Sequence, residues 1–258
     1  MKTISNTSSK TTFAVATLTL FLALAAQAAT FTLNPSADAF VTTGPTANLT
    51  GNNYGGAGAL SVAAPGLASG EFQSVLRFDL SGARTSFNSQ FGAGQWSIQS
   101  ITLSLTATAP NNAIFNASAA GQFGVSWMQN DSWTEGVGTP ATPTTTGITF
   151  STLPSFTGAG DEALGTFSFA GGTSGTAPYT LSLTSGFDAD ATAGNLVSFR
   201  LFAADSAVSY LFDSRTFGTT AFRPLLTVVA VPEPGSLALL ATGAALLLGA
   251  RCRRHSHG

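Results

Sequence analysis

Phe72-Gln73-Ser74-Val75-Leu76-Arg77-Phe78-Asp79-Leu80 is the stretch of the 258-residue chain that decides the fold. Four of its apolar side chains lie at even-numbered positions and so share one face of an extended chain: Phe72, Leu76, Phe78 and Leu80. A helix would scatter these side chains around its axis, because its period is about 3.6 residues instead of 2. The stretch therefore predicts a β-strand with one buried face.

The same alternation recurs along the chain, and clusters of Gly, Pro, Asn and Thr separate its occurrences. The further predicted strands are residues 37–42, 59–63, 101–106, 123–127, 164–169, 179–184, 197–203, 208–213 and 225–229. Before residue 231 a helical period is found only at 187–193, as a single turn. About ten strands with one apolar face each predict an all-β fold, a two-sheet β-sandwich or jelly roll.

The N-terminal segment predicts a secretory signal peptide at residues 1–28. Lys2 and Lys10 precede an apolar stretch, residues 13–26, which closes with the small-x-small site formed by Ala26 and Ala28. A positive flank, a short apolar core and such a site are the three parts of a signal peptide. We expect a helix here, passage through the Sec translocon and cleavage after Ala28. The alternative is a retained N-terminal anchor.

The C-terminal segment has three parts: Val231-Pro232-Glu233-Pro234, an uncharged Leu/Ala/Gly run at 235–250, and a basic cluster of Arg251, Arg253 and Arg254. As a helix the run would be ~24 Å long, slightly short of the ~30 Å hydrocarbon core of a bilayer. The arginines can make up the difference by snorkelling, and they belong on the cytoplasmic side. The pattern predicts a single transmembrane helix.

These three parts, in this order, resemble the PEP-CTERM sorting signal of Gram-negative bacteria, here residues 231–258. The resemblance implies recognition by an exosortase, a membrane transpeptidase-like enzyme of bacteria that make extracellular polysaccharide. It also implies transit through the inner membrane to the cell envelope, surface or extracellular matrix. The alternative is an ordinary single-pass tail anchor, for which the Pro-Glu-Pro entry would have no purpose.

Residues 29–230, about 200 residues, form the predicted exported part and suit one all-β domain. This part has five arginines, no lysine and eleven carboxylates, a net charge of −6. Such a charge does not attract nucleic acid or an anionic membrane surface, so both are excluded as partners of this domain.

The exported part contains neither histidine nor cysteine, because Cys252, His255 and His257 all lie in the tail. Within this part a disulfide, a Ser-His-Asp or Cys-His nucleophile and the usual zinc sites are therefore excluded. We expect a non-enzymatic protein without a cofactor.

The middle of the chain, residues 37–229, resembles the DNRLRE domain, a β-sandwich module of secreted bacterial proteins with relatives among carbohydrate-binding modules. The resemblance rests on an ordered set of motifs: Ala37-Asp38-Ala39-Phe40-Val41, Asn53-Tyr54-Gly55, residues 74–80, Asn130-Asp131-Ser132-Trp133-Thr134-Glu135-Gly136, Phe212-Asp213-Ser214-Arg215-Thr216 and Arg223-Pro224-Leu225-Leu226-Thr227-Val228. Two features depart from the family: the long Thr/Pro-rich loop at 134–154, and Thr216 where Glu is common.

Trp133, with Asp131 and Glu135 on either side of it, is the strongest candidate for a ligand-binding cluster. An indole ring can stack on a sugar while the two acids bind its hydroxyls. The alternative, which we favour, is an aromatic plug whose neighbouring acids satisfy loop N–H groups. Tyr54, in a loop rich in Gly and Asn, is expected to be exposed and is a second ligand-binding candidate.

Two acid pairs, Asp161-Glu162 and Asp188-x-Asp190, are expected in loops. Paired carboxylates are the machinery of glycoside hydrolysis, and Asp188 with Asp190 offers oxygen ligands for Ca²⁺. Solvated turn residues are the interpretation we favour for Asp188 and Asp190. The sequence as a whole indicates an exported structural or adhesion protein, associated with exopolysaccharide and with weak glycan binding. The alternative is a secreted polysaccharide lyase or hydrolase.

Overall fold

The computed structural model describes residues 27–107, 119–172, 174–233 and 235. The predictions that concern Ala26, Pro234, the transmembrane run and the basic cluster therefore lie outside the described residues. Within the described part, no helix combines the length and the apolar character needed to cross a membrane.

The described residues form eleven strands, two α-helices and two short 3₁₀ turns, so the all-β prediction is confirmed. The strands are β1 Ala29–Leu33, β2 Ala37–Thr42, β3 Ala59–Ala63, β4 Phe72–Asp79, β5 Trp96–Ala107, β6 Gly121–Met128, β7 Glu162–Phe169, β8 Gly175–Leu181, β9 Leu196–Ala203, β10 Ser209–Asp213 and β11 Leu225–Pro232. The helices are α1 Ser81–Phe91 and α2 Ser185–Ala193, and the 3₁₀ turns are Leu153–Ser155 and Thr220–Phe222.

Hydrogen bonds join all eleven strands in one antiparallel sheet, so two separate sheets are not confirmed. The strand order is β1-β11-β5-β10-β3-β4-β9-β6-β7, with β2 paired to β4 and β8 paired to β5. Two of these links consist of a single residue pair, Phe212 with Ala107 and Ala63 with Phe72. The pair β3–β10 thus connects two larger strand groups, which we call the β5 group (β1, β11, β5, β8) and the β4 group (β2, β4, β9, β6, β7).

The inner faces of the two groups share one aromatic core. The ring of Phe123 in β6 lies 5.2 Å from that of Tyr179 in β8 and 5.5 Å from that of Tyr210 in β10. The two tyrosine hydroxyls are 3.1 Å apart and satisfy each other in this apolar setting. The two strand groups are therefore held together mainly by side-chain packing in this core, because only single residue pairs link them through the sheet.

The outer face of the β4 group is also buried, which the predicted pattern of one apolar face per strand does not allow. A second, smaller core covers it: Val75 of β4 packs there with Trp133, Ile148 and Leu153 from the long segment between β6 and β7. This segment, residues 129–161, is called the covering loop below. The one-face prediction is therefore wrong for β4, because the loop shields its outer side from solvent.

The ends of the described domain lie on neighbouring strands. Ala29 of β1 pairs with Ala230 of β11, although about 200 residues separate them. β11 continues past this pair, so that Pro232 lies opposite Trp96 of β5, and the Glu233 N–H donates to the Gln95 carbonyl at 2.9 Å. The predicted sorting segment therefore begins inside the sheet.

Candidate functional site

Trp133 is a buried plug between the covering loop and the sheet. Its side chain is 1% exposed, and its indole N–H donates to the Ser198 hydroxyl at 2.9 Å. The Arg77 guanidinium lies 4.9 Å from the ring centroid and donates to the backbone carbonyls of Asp131 and Trp133, both at 2.8 Å. The burial of the ring that the plug interpretation predicts is confirmed, and no face of this ring is open to a sugar.

Asp131 contributes to the same cluster from the edge of the loop. Burial raises the pKa of its carboxyl, while hydrogen bonding with Ser198 opposes that rise. Asp190 raises the pKa further and the Arg77 charge lowers it, both more weakly. Its Oδ1 atom is buried and has no hydrogen-bond partner among the described residues.

Glu135 and Arg215 form a two-bonded ion pair that fastens the covering loop to the end of β10. The Arg215 Nε–H donates to Glu135 Oε1 at 2.6 Å, and its Nη2 contacts the other carboxylate oxygen. The backbone N–H of Arg215 donates to Asp38 Oδ2 at 2.7 Å, and the Asp38 N–H donates to Glu135 Oε1 at 3.1 Å. Three distant chain segments therefore meet in one charged cluster, of which two members are carboxylates.

Asp38 is the buried member of this cluster. Its side chain is fully enclosed, and burial raises the pKa of its carboxyl to about 7. The hydrogen bond from the Arg215 backbone opposes this rise, and the nearby Glu135 charge adds to it. Near neutral pH Asp38 therefore exchanges a proton inside the fold.

Asn53 holds the covering loop against the loop between β2 and β3. Its buried amide donates to the carbonyls of Glu135 at 2.6 Å and Ile148 at 2.7 Å. Its oxygen accepts from the N–H groups of Gly55 at 3.1 Å and Gly138 at 3.2 Å. A Cβ on Gly138 would lie 1.9 Å from the Asn53 carbonyl, so only glycine fits this close approach.

Tyr54 follows Asn53 into the interior, so its predicted exposure is wrong. The ring is 3% exposed and stacks on Phe40 with centroids 4.6 Å apart. The hydrogen bonds of Asn53 draw the Gly-rich loop inward, and the sequence pattern of that loop did not reveal them. Neither aromatic ligand candidate presents a ring to solvent.

The first acid pair, Asp161 and Glu162, binds backbone N–H groups. Glu162 begins β7, and its carboxylate accepts from the Thr184 hydroxyl at 2.5 Å and from the N–H groups of Gly186 and Phe187 at 2.9 Å. These bonds, the hydroxyl first, lower the pKa of Glu162 to about 2. The carboxylate therefore caps the N-terminus of α2, where negative charge is favoured.

Replacing Glu162 with Gln is expected to lower the stability of the protein at pH 7, because the neutral amide caps α2 less well. A folded-state pKa below the ordinary value of 4.5 means that the stabilisation is complete above pH 4.5. It is lost as the pH falls through about 2. Urea unfolding at pH 7 and at pH 2 checks this prediction. The difference in the free energy of unfolding between the wild type and Glu162→Gln should be smaller at the lower pH. An equal gap at both values would contradict the capping role.

The other acids do not converge on a metal. Asp161 accepts from the N–H groups of Gln129 and Gly158, and Asp188 and Asp190 lie in α2 and not in the expected loop. Helix positions two apart do not face each other. In the ranges that the structure describes, no group of three His, Cys, Asp or Glu side chains is placed to hold a metal ion.

A cavity of about 480 Å³ opens between α1 and α2. Trp96 and Asn88 line it, and Arg84 and Asp188 bring one charge of each sign. The Arg84 guanidinium already donates to the Ala193 carbonyl at 3.0 Å. With one carboxylate in its lining, the cavity lacks the opposed pair that glycoside hydrolysis uses.

The outer face of the β5 group carries many hydroxyls, some aliphatic side chains such as Leu225 and Val229, and no charge; we call it the threonine face. One row crosses all four strands in register: Thr32, Thr227, Thr102 and Thr180. Hydroxyl oxygens of adjacent strands lie 3.5 Å apart at Thr102–Thr180 and 2.9 Å apart at Thr106–Thr176. None of the four strands contains an ionisable Asp, Glu, Lys, Arg or His, and the charged strand residues of the described chain lie elsewhere: Asp38, Arg77, Asp79, Glu162, Arg200 and Asp213.

The C-terminal segment matches a known protein family. The family described as the PEP-CTERM protein-sorting motif matches residues 230–254. These residues are a PEP-CTERM sorting motif. The PEP-CTERM motif indicates exosortase-dependent export to the cell surface, with membrane anchoring on the way. It overlaps the last three residues of β11, and it leaves the resemblance of residues 37–229 to the DNRLRE domain a prediction.

No curated protein matches the chain. Among solved structures, a chain of desmodium yellow mottle tymovirus is similar at a TM-score of 0.24 and 7% identity. The similarity covers 91% of this chain and 95% of that one. A likeness this weak carries no information on fold or function.

Proposed function

We propose that this protein is a structural or adhesive component of the cell surface, delivered by its PEP-CTERM motif and in contact with neutral polysaccharide through the threonine face. The observation that supports this proposal is the four-threonine row on strands without charge. Neighbouring strands lie ~4.8 Å apart, so the row presents hydroxyls at a regular spacing along the surface. Hydroxyls that donate and accept suit a polyhydroxylated, uncharged polymer.

The predicted ligand candidates do not support the same role. Tyr54 and Trp133 are buried, and Glu135 is paired with Arg215. Glycan contact through these residues would require the covering loop to open. The threonine face needs no such rearrangement, because Thr32 and Thr180 are already exposed.

The proposal also includes a two-layer sandwich fold and export through the Sec translocon. A DNRLRE-like β-sandwich would have the β4 and β5 groups as its two layers, and the shared aromatic core is consistent with this. A signal peptide at 1–28 and the Sec translocon would begin export, and the exopolysaccharide matrix would be its end point. We propose no catalytic role; the alternative is a polysaccharide lyase or hydrolase.

Changing Thr32, Thr102, Thr180 and Thr227 together to Val is expected to weaken retention on an insoluble neutral glucan by roughly tenfold or more. Each hydrogen bond lost costs about 0.5–1.5 kcal/mol, and valine keeps the shape and strand preference of threonine. The measurement is co-sedimentation of the exported protein, purified from the cell surface, with the glucan.

Two controls accompany this measurement. The four-residue Thr→Ser variant keeps the hydroxyls and should be retained like the wild type, as should Thr145→Val, at an exposed position in the covering loop. Equal retention of the Val variant would exclude the threonine face. New reducing ends from the glucan, or unsaturated products from a polysaccharide that contains uronic acids, would replace the structural role with the enzymatic alternative.

A further inference from the structure

The sorting motif is partly folded into the domain it sorts. Val231 lies opposite Ser97 and Pro232 opposite Trp96, and the Glu233 N–H donates to Gln95. β11 pairs with β1 on one side and with β5 on the other. Because β1 begins at Ala29, which lies opposite Ala230, the part of β11 beyond Ala230 pairs with β5 alone. The motif therefore starts on a half-paired strand end, where a sheet opens most easily.

The β5 side of this contact is firmly held. Trp96 is 5% exposed, its ring lies 5.1 Å from that of Phe87, and its indole N–H donates to the Asn88 side chain at 2.8 Å. Both partners belong to α1, so helix and strand together fix the segment against which the motif lies. Opening must therefore occur by movement of the motif and not of β5.

An enzyme that acts at Pro-Glu-Pro must reach the backbone of this segment, and enzymes commonly bind extended segments through that backbone. In the folded domain the same backbone groups are already paired to β5. We infer that the pairing of residues 231–233 with residues 95–97 gates the motif: the end of β11 must leave β5 before the sorting enzyme can bind it. This inference rests on exosortase processing, which the motif indicates.

A disulfide can hold the gate shut. Ser97 and Val231 are direct partners on antiparallel strands and lie on the outward side of the sheet. Opposed Cα atoms in such pairs are ~4.5–5.5 Å apart, inside the range that a disulfide spans. Residues 29–230 contain no cysteine, so an introduced pair has no competing partner in this domain.

The experiment expresses full-length Ser97→Cys/Val231→Cys in the native host, closes the disulfide with diamide, and follows the precursor and the processed form by mass spectrometry. We expect the oxidised variant to remain as precursor and dithiothreitol to restore processing. Each single variant should be processed normally. So should Ser104→Cys/Leu225→Cys, a directly opposed pair of the same strands that precedes the motif and lies outside the threonine row.

The outcomes separate the gate from the sorting role. Normal processing of the oxidised Ser97→Cys/Val231→Cys variant would overturn the gate, and so would an equal block in the upstream pair. Changing Pro232, Glu233 and Pro234 to Ala should leave the precursor uncleaved with or without dithiothreitol. If this triple variant is processed normally, the motif is not the sorting signal. That result would refute exosortase-dependent sorting, whatever the disulfide experiment shows about the gate.

Discussion

Replacing Asn53 with Ala is expected to lower the free energy of unfolding by about 4 kcal/mol, since buried polar groups left without partners cost about 1–3 kcal/mol each. The change orphans the carbonyls of Glu135 and Ile148 and the N–H groups of Gly55 and Gly138. Some of these groups will recover water as the covering loop loosens. For a domain of this size the loss corresponds to a fall in the melting temperature of roughly 10 °C.

Differential scanning calorimetry of the purified protein measures this effect, and Asn52→Ala is the matched control. Asn52 is the neighbouring amide, and its side chain donates to the Tyr54 hydroxyl at 3.2 Å in a half-buried position. Its loss should cost at most about 1 kcal/mol. Equal melting temperatures for the two variants would contradict the central place of Asn53 in the covering loop.

Asp38 is expected to make the protein less stable as the pH rises from about 4 to 7. Its folded-state pKa is raised from 3.8 to about 7, so in that interval the folded state binds more protons than the unfolded state. Stability falls with pH wherever this holds, here by about 4 kcal/mol over the whole interval. Asp38→Asn removes the titration, so the stability of the wild type relative to the variant should fall across the same interval.

Urea unfolding of the wild type and Asp38→Asn at intervals between pH 4 and 8 checks this dependence. Asp79→Asn is the control, and its difference in stability from the wild type should stay nearly constant between pH 4 and 8. Hydrogen bonds from Ser81 lower the pKa of Asp79 below 3.8, so its contribution is present throughout this interval and is lost only at lower pH. A flat difference curve for Asp38 would contradict a buried, proton-exchanging carboxyl.

Period-2 alternation located most strands, because it follows directly from which side chains face the core, but β8 lies at Gly175–Leu181 and not at the predicted 179–184. The observed bounds of β2 and β3 are those predicted, and β4 ends one residue earlier than its pattern. Alternation could also have found β1, where Phe31 and Leu33 alternate with threonines. α1 was missed because its buried side is just Ala83 and Phe87, too narrow a stripe to stand out among Ser, Gly and Asn.

The candidate site was less predictable, because its geometry depends on contacts between distant residues. Asn53 and Glu135 are 82 positions apart, and Asp38 and Arg215 are 177 apart. No local sequence pattern predicts such pairs. The contacts that hold the Asn53 loop against the covering loop were therefore not foreseen, and Tyr54 was predicted to be an exposed loop residue. Trp133 was predictable as a plug, since large aromatic rings in small domains are mostly buried.

The pairing of Ala29 with Ala230 has a consequence for how the protein is made. The first strand to leave the ribosome has as its neighbour the last one, so the sheet cannot be completed until synthesis has passed residue 230. Contacts between such remote positions form slowly and late. Until then β1 has no partner strand and β5 lacks the one on its β11 side, so this edge of the sheet closes only when the sorting segment begins to emerge.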